Sequence, residues 1–344
     1  MELKRRDWLS LIVFLLAACT TTPERRSSAP ATARIAAAST PTAPPASPAP
    51  QPSSIPPVAG EGTWQSRAVM LTARSEMPAA VLNGLIYVPG GFGGEQTFEA
   101  YDPAADAWRT LAPLPDGRHH VMAAAHGDRI YVFGGARSAD DWRPTATAWA
   151  YDPGADTWAE LAPMPEPRLA GAAVALGEAL YIVGGAGGGK ALLRYQPATN
   201  TWTALAELSQ PREHTAAAAL DGKIYALAGR WRGVGELTSI EVYDPQANAW
   251  SAGPPMSIAR GGLGAAALGD RIFVIGGEVL AGGTTLDSVE VFDPALRAWS
   301  LAPSLPVPLH GVPAAALEGQ LYVLGGSDRA GAVENRGRTL VYRP

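Results

Sequence analysis

The residues of this 344-residue chain best suited to hold a ligand are a recurring arginine and the histidines beside it. Arg74, Arg118, Arg168, Arg212 and Arg260 recur at similar intervals, with Leu309 in the sixth slot. Four of the five histidines, His119, His120, His214 and His310, fall one or two positions after that slot. A guanidinium is a planar fork of donors, so a series of them either ties down backbone carbonyls or forms a ring that grips anionic groups. Histidines in such a slot either complete hydrogen bonds between elements or face a ligand. Two aromatic and charged clusters stand off this register: Asp140, Asp141, Trp142 and Arg143, and Arg230, Trp231 and Arg232. A tryptophan in a polar loop stacks on a sugar, anchors a peptide, or folds back over its own rim. The candidate ligand-binding residues are therefore Arg74, Arg118, His120, Arg168, Arg212, His214, Arg260, His310, Trp142, Arg230 and Trp231. Glu76 and Glu213 would join His214 if the site moved protons. No metal site and no cofactor are expected, because the histidine slots belong to different repeats and lack the closely spaced pairs of zinc sites.

The frame that positions these residues is a repeat: residues 61–344 align on themselves as six copies of one pattern. Glycine doublets begin at Gly90, Gly134, Gly184, Gly276 and Gly325, with Ala228 and Gly229 in the remaining slot, each 16 residues after the arginine slot. Aromatics follow at Tyr101, Tyr151, Tyr195, Tyr243, Phe292 and Tyr342. Seven residues after the first five stand Trp108, Trp158, Trp202, Trp250 and Trp299. Between arginine and doublet, an Ala-rich stretch, a two-residue turn such as Asn83 and Gly84, and a strand such as Leu85 to Val88 spell a β-hairpin. A second hairpin runs from the aromatic through an Asp-Pro turn to the tryptophan. Six units of four antiparallel strands bury both faces only by stacking around an axis, which predicts an all-β, six-bladed β-propeller. The sixth copy has no tryptophan of its own, whereas Trp64 precedes Arg74 by ten residues, the interval between every other tryptophan and the next arginine slot. The segment around Trp64 is thus expected to complete the last blade and close the ring.

The glycine doublet, the Tyr-Asp-Pro run and the spaced tryptophan resemble kelch repeats across essentially all of residues 61–344, and the Gly-His and Trp-Asp signatures of WD40 propellers do not recur in register. The resemblance implies that the loops between second and third strands, together with the crossovers between blades, form the binding face. These loops vary here: the first doublet residue and the next aromatic are 11, 17, 11, 15, 16 and 17 residues apart. It also implies that arginines at this level can meet acidic ligands, as in peptide-binding kelch domains. Galactose-oxidase-like chemistry would need a Tyr-Cys cross-link, and the only cysteine is Cys19. Kelch sialic-acid mutarotases would instead need a pocket carboxylate and an arginine.

The N-terminus carries an address. Lys4, Arg5 and Arg6 followed by the short apolar stretch Leu9 to Ala18 read as a signal peptide over residues 1–18. Leu16, Ala17, Ala18 and Cys19 resemble a bacterial lipobox, which makes Cys19 the expected lipidation site, and the paired arginines leave twin-arginine export open. Residues 19–60 are rich in Pro, Ala, Ser and Thr; from Thr20 to Gly60 there are ten prolines and no aromatic, the composition of a disordered tether. A formal net charge of −5 offers no broad attraction to nucleic acid, and 47% hydrophobic residues suffice for a core. No Gly-x-Ser-x-Gly elbow or His-Glu-x-x-His helix appears. The expected protein is thus a monomeric kelch propeller, lipid-anchored outside the cytoplasm, that binds a protein or glycan through its variable-loop face. The alternatives are a carbohydrate-active enzyme such as a sugar mutarotase or epimerase, and a structural envelope protein without a discrete ligand.

Overall fold

The computed structural model describes residues 62–331 and 334–344. The signal segment, Cys19 and the tether expected from the sequence lie outside the described residues. The described chain forms six four-stranded antiparallel sheets, the blades of a propeller. Blades 1 to 5 span residues 80–110, 122–160, 172–204, 216–252 and 264–302, and blade 6 combines residues 314–343 with Thr63–Ser66. That first strand pairs antiparallel with Thr339–Arg343, Trp64 opposite Tyr342, which is the closure expected from the spacing of the tryptophans.

Each blade begins with the predicted hairpin. In blade 1, Asn83 and Gly84 take φ of 50° and 76°, the left-handed pair that a tight turn between twisted strands requires. The inner strands carry alanines because the blades converge there; Ala80, Ala124, Ala173, Ala218, Ala266 and Ala316 line one end of the axial channel. Larger residues such as Ile130, Val132 and Tyr151 fill the widening space between neighbouring sheets.

Three sets of cross-blade bonds fasten the ring. The second residue of each glycine doublet donates its N–H to the carbonyl of the next blade's arginine slot, from Gly91 to Arg118 round to Gly326 and Arg74, all at 2.8–2.9 Å. The first doublet position has to be small: a Cβ on Gly90 would lie 2.4 Å from the Arg118 carbonyl oxygen. At the rim, every outer-strand tryptophan donates its indole N–H across the blade boundary, Trp108 to Ala68 at 2.9 Å and Trp64 to Pro303 at 2.9 Å among them. The third set surrounds the axis and forms the floor of the site.

The variable loops hold structure that the repeat pattern did not indicate. In blade 4, Arg230–Trp231 pairs with Gly235–Glu236, and in blade 5, Glu278–Val279 pairs with Thr284–Thr285. These short ribbons extend the connection between second and third strands beyond the sheet.

Candidate functional site

The repeated arginines turn into the blades. Arg74, Arg118, Arg168, Arg212 and Arg260 are at most 1% exposed. Arg74 donates from Nη1 to the Gly90 carbonyl at 2.6 Å, and Arg212 and Arg260 reach the Ala228 and Gly276 carbonyls at 2.8 Å. The acceptor is the first doublet residue, so the 16-residue spacing seen in the sequence is a hydrogen bond within one blade. The other nitrogen, Nη2, meets a carboxylate from the third strand: Glu99 at 3.0 Å, Glu241 at 2.8 Å and Glu290 at 2.5 Å. Where the third-strand residue is Trp149, Arg118 stacks over its ring at 5.3 Å. In blade 6 both positions are apolar, Leu309 and Leu340. A series that alternates between ion pair, stack and hydrocarbon holds the blade together and does not aim five cations at one ligand.

The residue two positions after each arginine slot is what reaches the axis. Glu76, His120, Ala170, His214, Gly262 and Gly311 occupy this register in blades 1 to 6, and all six have φ between 46° and 63°. Their backbones bond round the axis: His120 N–H to Glu76 O at 2.9 Å, Ala170 to His120 at 2.9 Å, Gly262 to His214 at 2.9 Å, Gly311 to Gly262 at 2.7 Å and Glu76 to Gly311 at 2.8 Å. A left-handed conformation costs a non-glycine residue on the order of 1 kcal/mol. Glycine stands at two of the six positions, whereas Glu76, His120 and His214 bear that strain and point their side chains at one another.

Above this belt lies a cavity of about 260 Å³, whose lining includes Glu76, Phe92, His120, Trp142, Arg230 and His310. His120 Nε2 lies 2.9 Å from His214 Nε2 and 3.2 Å from Glu76 Oε2. Each ring has an outer partner: His214 Nδ1 bonds Glu213, and His120 Nδ1 meets His119 Nδ1 at 2.7 Å. His119 in turn bonds the Ser138 carbonyl at 2.9 Å. Phe92 stacks on His119 at 4.1 Å, and Trp142, 48% exposed, covers the imidazoles of His119 and His120, both at 4.9 Å. Arg230 bridges two carboxylates, Glu278 at 2.6 Å and Glu213 at 3.2 Å.

Electrostatics follow from this crowding. Burial favours the neutral acid for Glu76, but His120, His310 and His214 outweigh it and hold its carboxyl well below the usual range. Burial lowers His119 to about 4 and also lowers His120. His310 is buried too, yet Glu76 and Glu278 beside it raise its pKa. Burial would likewise lower Arg230, and its two carboxylate partners reverse the direction.

The kelch-motif family profile matches residues 73–115, 117–165, 211–257 and 259–306, more than half of the chain. This chain belongs to the kelch-repeat family. The matched segments are blades 1, 2, 4 and 5. Over 78 residues it is 33% identical to Kelch-like protein 35 of Homo sapiens, covering 22% of this chain and 13% of that one. Over 75 residues it is 36% identical to the influenza virus NS1A-binding protein homolog of Mus musculus, covering 21% of this chain and 12% of that one. The chain thus spans only about an eighth of the length of these curated relatives. Among solved structures, that of YjhT superposes with a TM-score of 0.70 over 80% of this chain and 96% of its own, at 16% identity, a likeness of fold.

Within this kelch propeller, the cavity gathers His120, His214, His310, Trp142 and Arg230 from the residues singled out in the sequence. Arg74, Arg118, Arg168, Arg212 and Arg260 are placed inside the blades, because the chain ahead of each inner strand aims the guanidinium back at its own sheet. Trp231 packs beside Gly189 of the neighbouring loop, away from the cavity. Phe92 and Glu278 were not singled out. Each directly follows a glycine doublet, a position whose role the repeat marks in hindsight. Histidines on different blades are also not thereby kept apart: near the axis, one register position of six blades meets in one place, and the acceptor atoms of Glu76, His120 and His214 lie within 4.8 Å of one another.

Proposed function

We propose that this kelch propeller binds a protein ligand through the cavity and its surrounding loops, and that it does so outside the cytoplasm, tethered through a lipid on Cys19. The observation that carries the binding role is the cavity itself: loops that differ from blade to blade enclose about 260 Å³ walled by Phe92 and Trp142 and edged by Arg230 and Glu278. That volume admits one side chain and excludes a folded segment, so a partner would anchor there and spread over the loops. Among the relatives, one is named for binding the influenza virus NS1A protein, which supports protein recognition as a use of this repeat. The anchoring role rests on the charged, apolar and Cys19-ending N-terminal segment.

A second reading, a sugar ring stacked on Trp142 with hydroxyls toward Arg230 and Glu278, draws on the same aromatic wall beside fixed polar groups. Peptide and glycan arrays probed with the full chain separate the two. Peptide binding lost in Trp142→Ala and kept in Trp231→Ala supports the first reading. Glycan binding with that same pattern supports the second, and no binding on either array overturns both. For the anchor, metabolic labelling with a fatty acid should mark the wild-type chain and not Cys19→Ser; equal labelling would remove Cys19 as the lipid site.

A further inference from the structure

The hydrogen-bond partners around the axial belt constrain which ring nitrogens carry protons. The Ser138 carbonyl only accepts, so His119 donates to it from Nε2, at 2.9 Å. The neutral His119 ring then offers a lone pair at Nδ1, and His120 donates to it from its own Nδ1 across 2.7 Å. The neutral form of His120 then presents its lone pair at Nε2. On the other side His214 donates from Nδ1 to the Glu213 carboxylate, and its neutral form presents the lone pair at Nε2. These two bare nitrogens face each other at 2.9 Å, and the Glu76 carboxylate, an acceptor too, stands 3.2 Å from His120 Nε2. One nitrogen or oxygen from each of three residues thus lies within 4.8 Å of the others. With both rings neutral, no hydrogen stands between these acceptors, and a metal ion or one added proton supplies the missing positive charge.

We propose that Glu76, His120 and His214 bind one divalent first-row transition-metal ion, with zinc as the reference, at the floor of the cavity. The two separations from His120 suit it: two nitrogens about 2.05 Å from zinc lie ~2.9 Å apart at a right angle and ~3.3 Å apart at the tetrahedral angle. Two imidazoles and a carboxylate match ions of this class, and Glu213 behind His214 and His119 behind His120 are the outer partners that orient metal-binding rings. The backbone sets the placement. All three residues hold left-handed φ, 54°, 55° and 46°, at a register where blades 5 and 6 use glycine. Ala170 holds the same φ of 54° in blade 3, so this backbone belongs to the belt, and it turns the three longer side chains toward one another. Three protein ligands leave a coordination position open toward the cavity, where a donor atom of a bound partner would complete the shell.

The competing occupant is a single proton shared between His120 and His214. To separate them, the full-length chain in detergent is stripped with a chelator and titrated calorimetrically with Zn²⁺, and with Co²⁺ followed by visible absorption. The proposal expects one ion per chain and the d–d bands of protein-bound cobalt. His120→Gly and His214→Gly fit the left-handed backbone as Gly262 and Gly311 do, so both variants should melt as cooperatively as the parent while losing at least ~100-fold in affinity, and Glu213→Gln should lose ~10- to 100-fold. His126→Ala, at the last residue of the blade 2 inner strand Met122–His126 and outside the cavity lining, should bind as the parent does. Failure of the folded parent to bind either ion in excess, or equal binding by both glycine variants, overturns the proposal.

Discussion

At the scale of single residues, the most informative contrast is between blades that carry a buried ion pair and the one that does not. Arg260 and Glu290 are both fully buried, 2.5 Å apart, and Arg260 further satisfies the Gly276 and Ser288 carbonyls. Blade 6 folds with Leu309 and Leu340 in the same two positions. Losing one charge strands the other in a low-dielectric interior, a cost of about 3–5 kcal/mol, whereas replacing both by hydrocarbon is often neutral. Glu290→Leu is therefore expected to lower the urea unfolding free energy by about 3 kcal/mol or more, and Arg260→Leu with Glu290→Leu to recover most of the loss. A double variant as unstable as the single one would show that the backbone bonds of the two side chains, Arg260 to carbonyls and Glu290 to the Ser257 and Ile258 N–H groups, and not the charge pairing, hold the blade. The sequence displayed the arginine series and its 16-residue distance to glycine, but not its direction. A guanidinium at the start of an inner strand reaches either the channel or its own sheet, and which it does depends on carbonyls that the fold places there.

At the scale of elements, the turn between third and fourth strands works as a clasp between blades. Tyr101 donates to Asp106 at 2.6 Å while Asp106 accepts the Ala68 N–H at 2.9 Å; Tyr151, Asp156 and Ala112 repeat this at 2.6 and 2.9 Å. Blades 3 and 4 use Asn200 and Asn248 in the same role. The tyrosine hydrogen bond is the first cause that lowers the pKa of Asp106 and of Asp156. A carboxylate with a depressed folded pKa contributes stability that is present above its unfolded value, near 3.8, and is lost as pH falls through the folded one. Both side chains are partly solvated, so screening leaves a few tenths of a kcal/mol each. Asp106→Asn with Asp156→Asn should match the parent in thermal melts at pH 7 and lose less stability than the parent below about pH 3.8. An unchanged acid limb would mean that these carboxylates do not contribute to it. Hairpins, turns and outer tryptophans were legible because each is a local pattern a few residues long. The axial belt was not, since its members lie 44 to 50 residues apart and only the closed ring makes them neighbours.

At the scale of the whole molecule, closure decides whether six marginal sheets act as one body. Every boundary between blades has the doublet and tryptophan fastenings, and five of the six also have the axial bond, but at blade 6 the outer strand comes from the opposite end of the propeller segment. There Thr63–Ser66 pairs with Thr339–Arg343, Trp64 packs on Tyr342 at 5.2 Å, and Arg67 N–H bonds the Thr339 carbonyl at 2.9 Å. Removing residues 62–70 would expose the edge of Thr339–Arg343 and strip the apolar cover from Tyr342, an open edge inviting pairing with another chain. The lost packing of the partly buried tryptophan alone is worth about 1–2 kcal/mol. With roughly 2–4 °C per kcal/mol for a domain of this size, the deletion should lower the calorimetric melting temperature by about 10 °C or more, and Trp64→Ala by part of that. Because the axial belt is a ring, the seam also bears on the site: Glu76 bonds Gly311 across it at 2.8 Å, and the Arg74 carbonyl accepts from Gly326 at 2.8 Å. A loosened seam would let blade 1 drift from blade 6 and carry Glu76 away from His120 and His214, so the deletion should weaken ligand binding at temperatures where the chain is still folded. If the shortened chain melts and binds as the parent does, the ring is held by its inner contacts alone, and the outer strand only caps an edge.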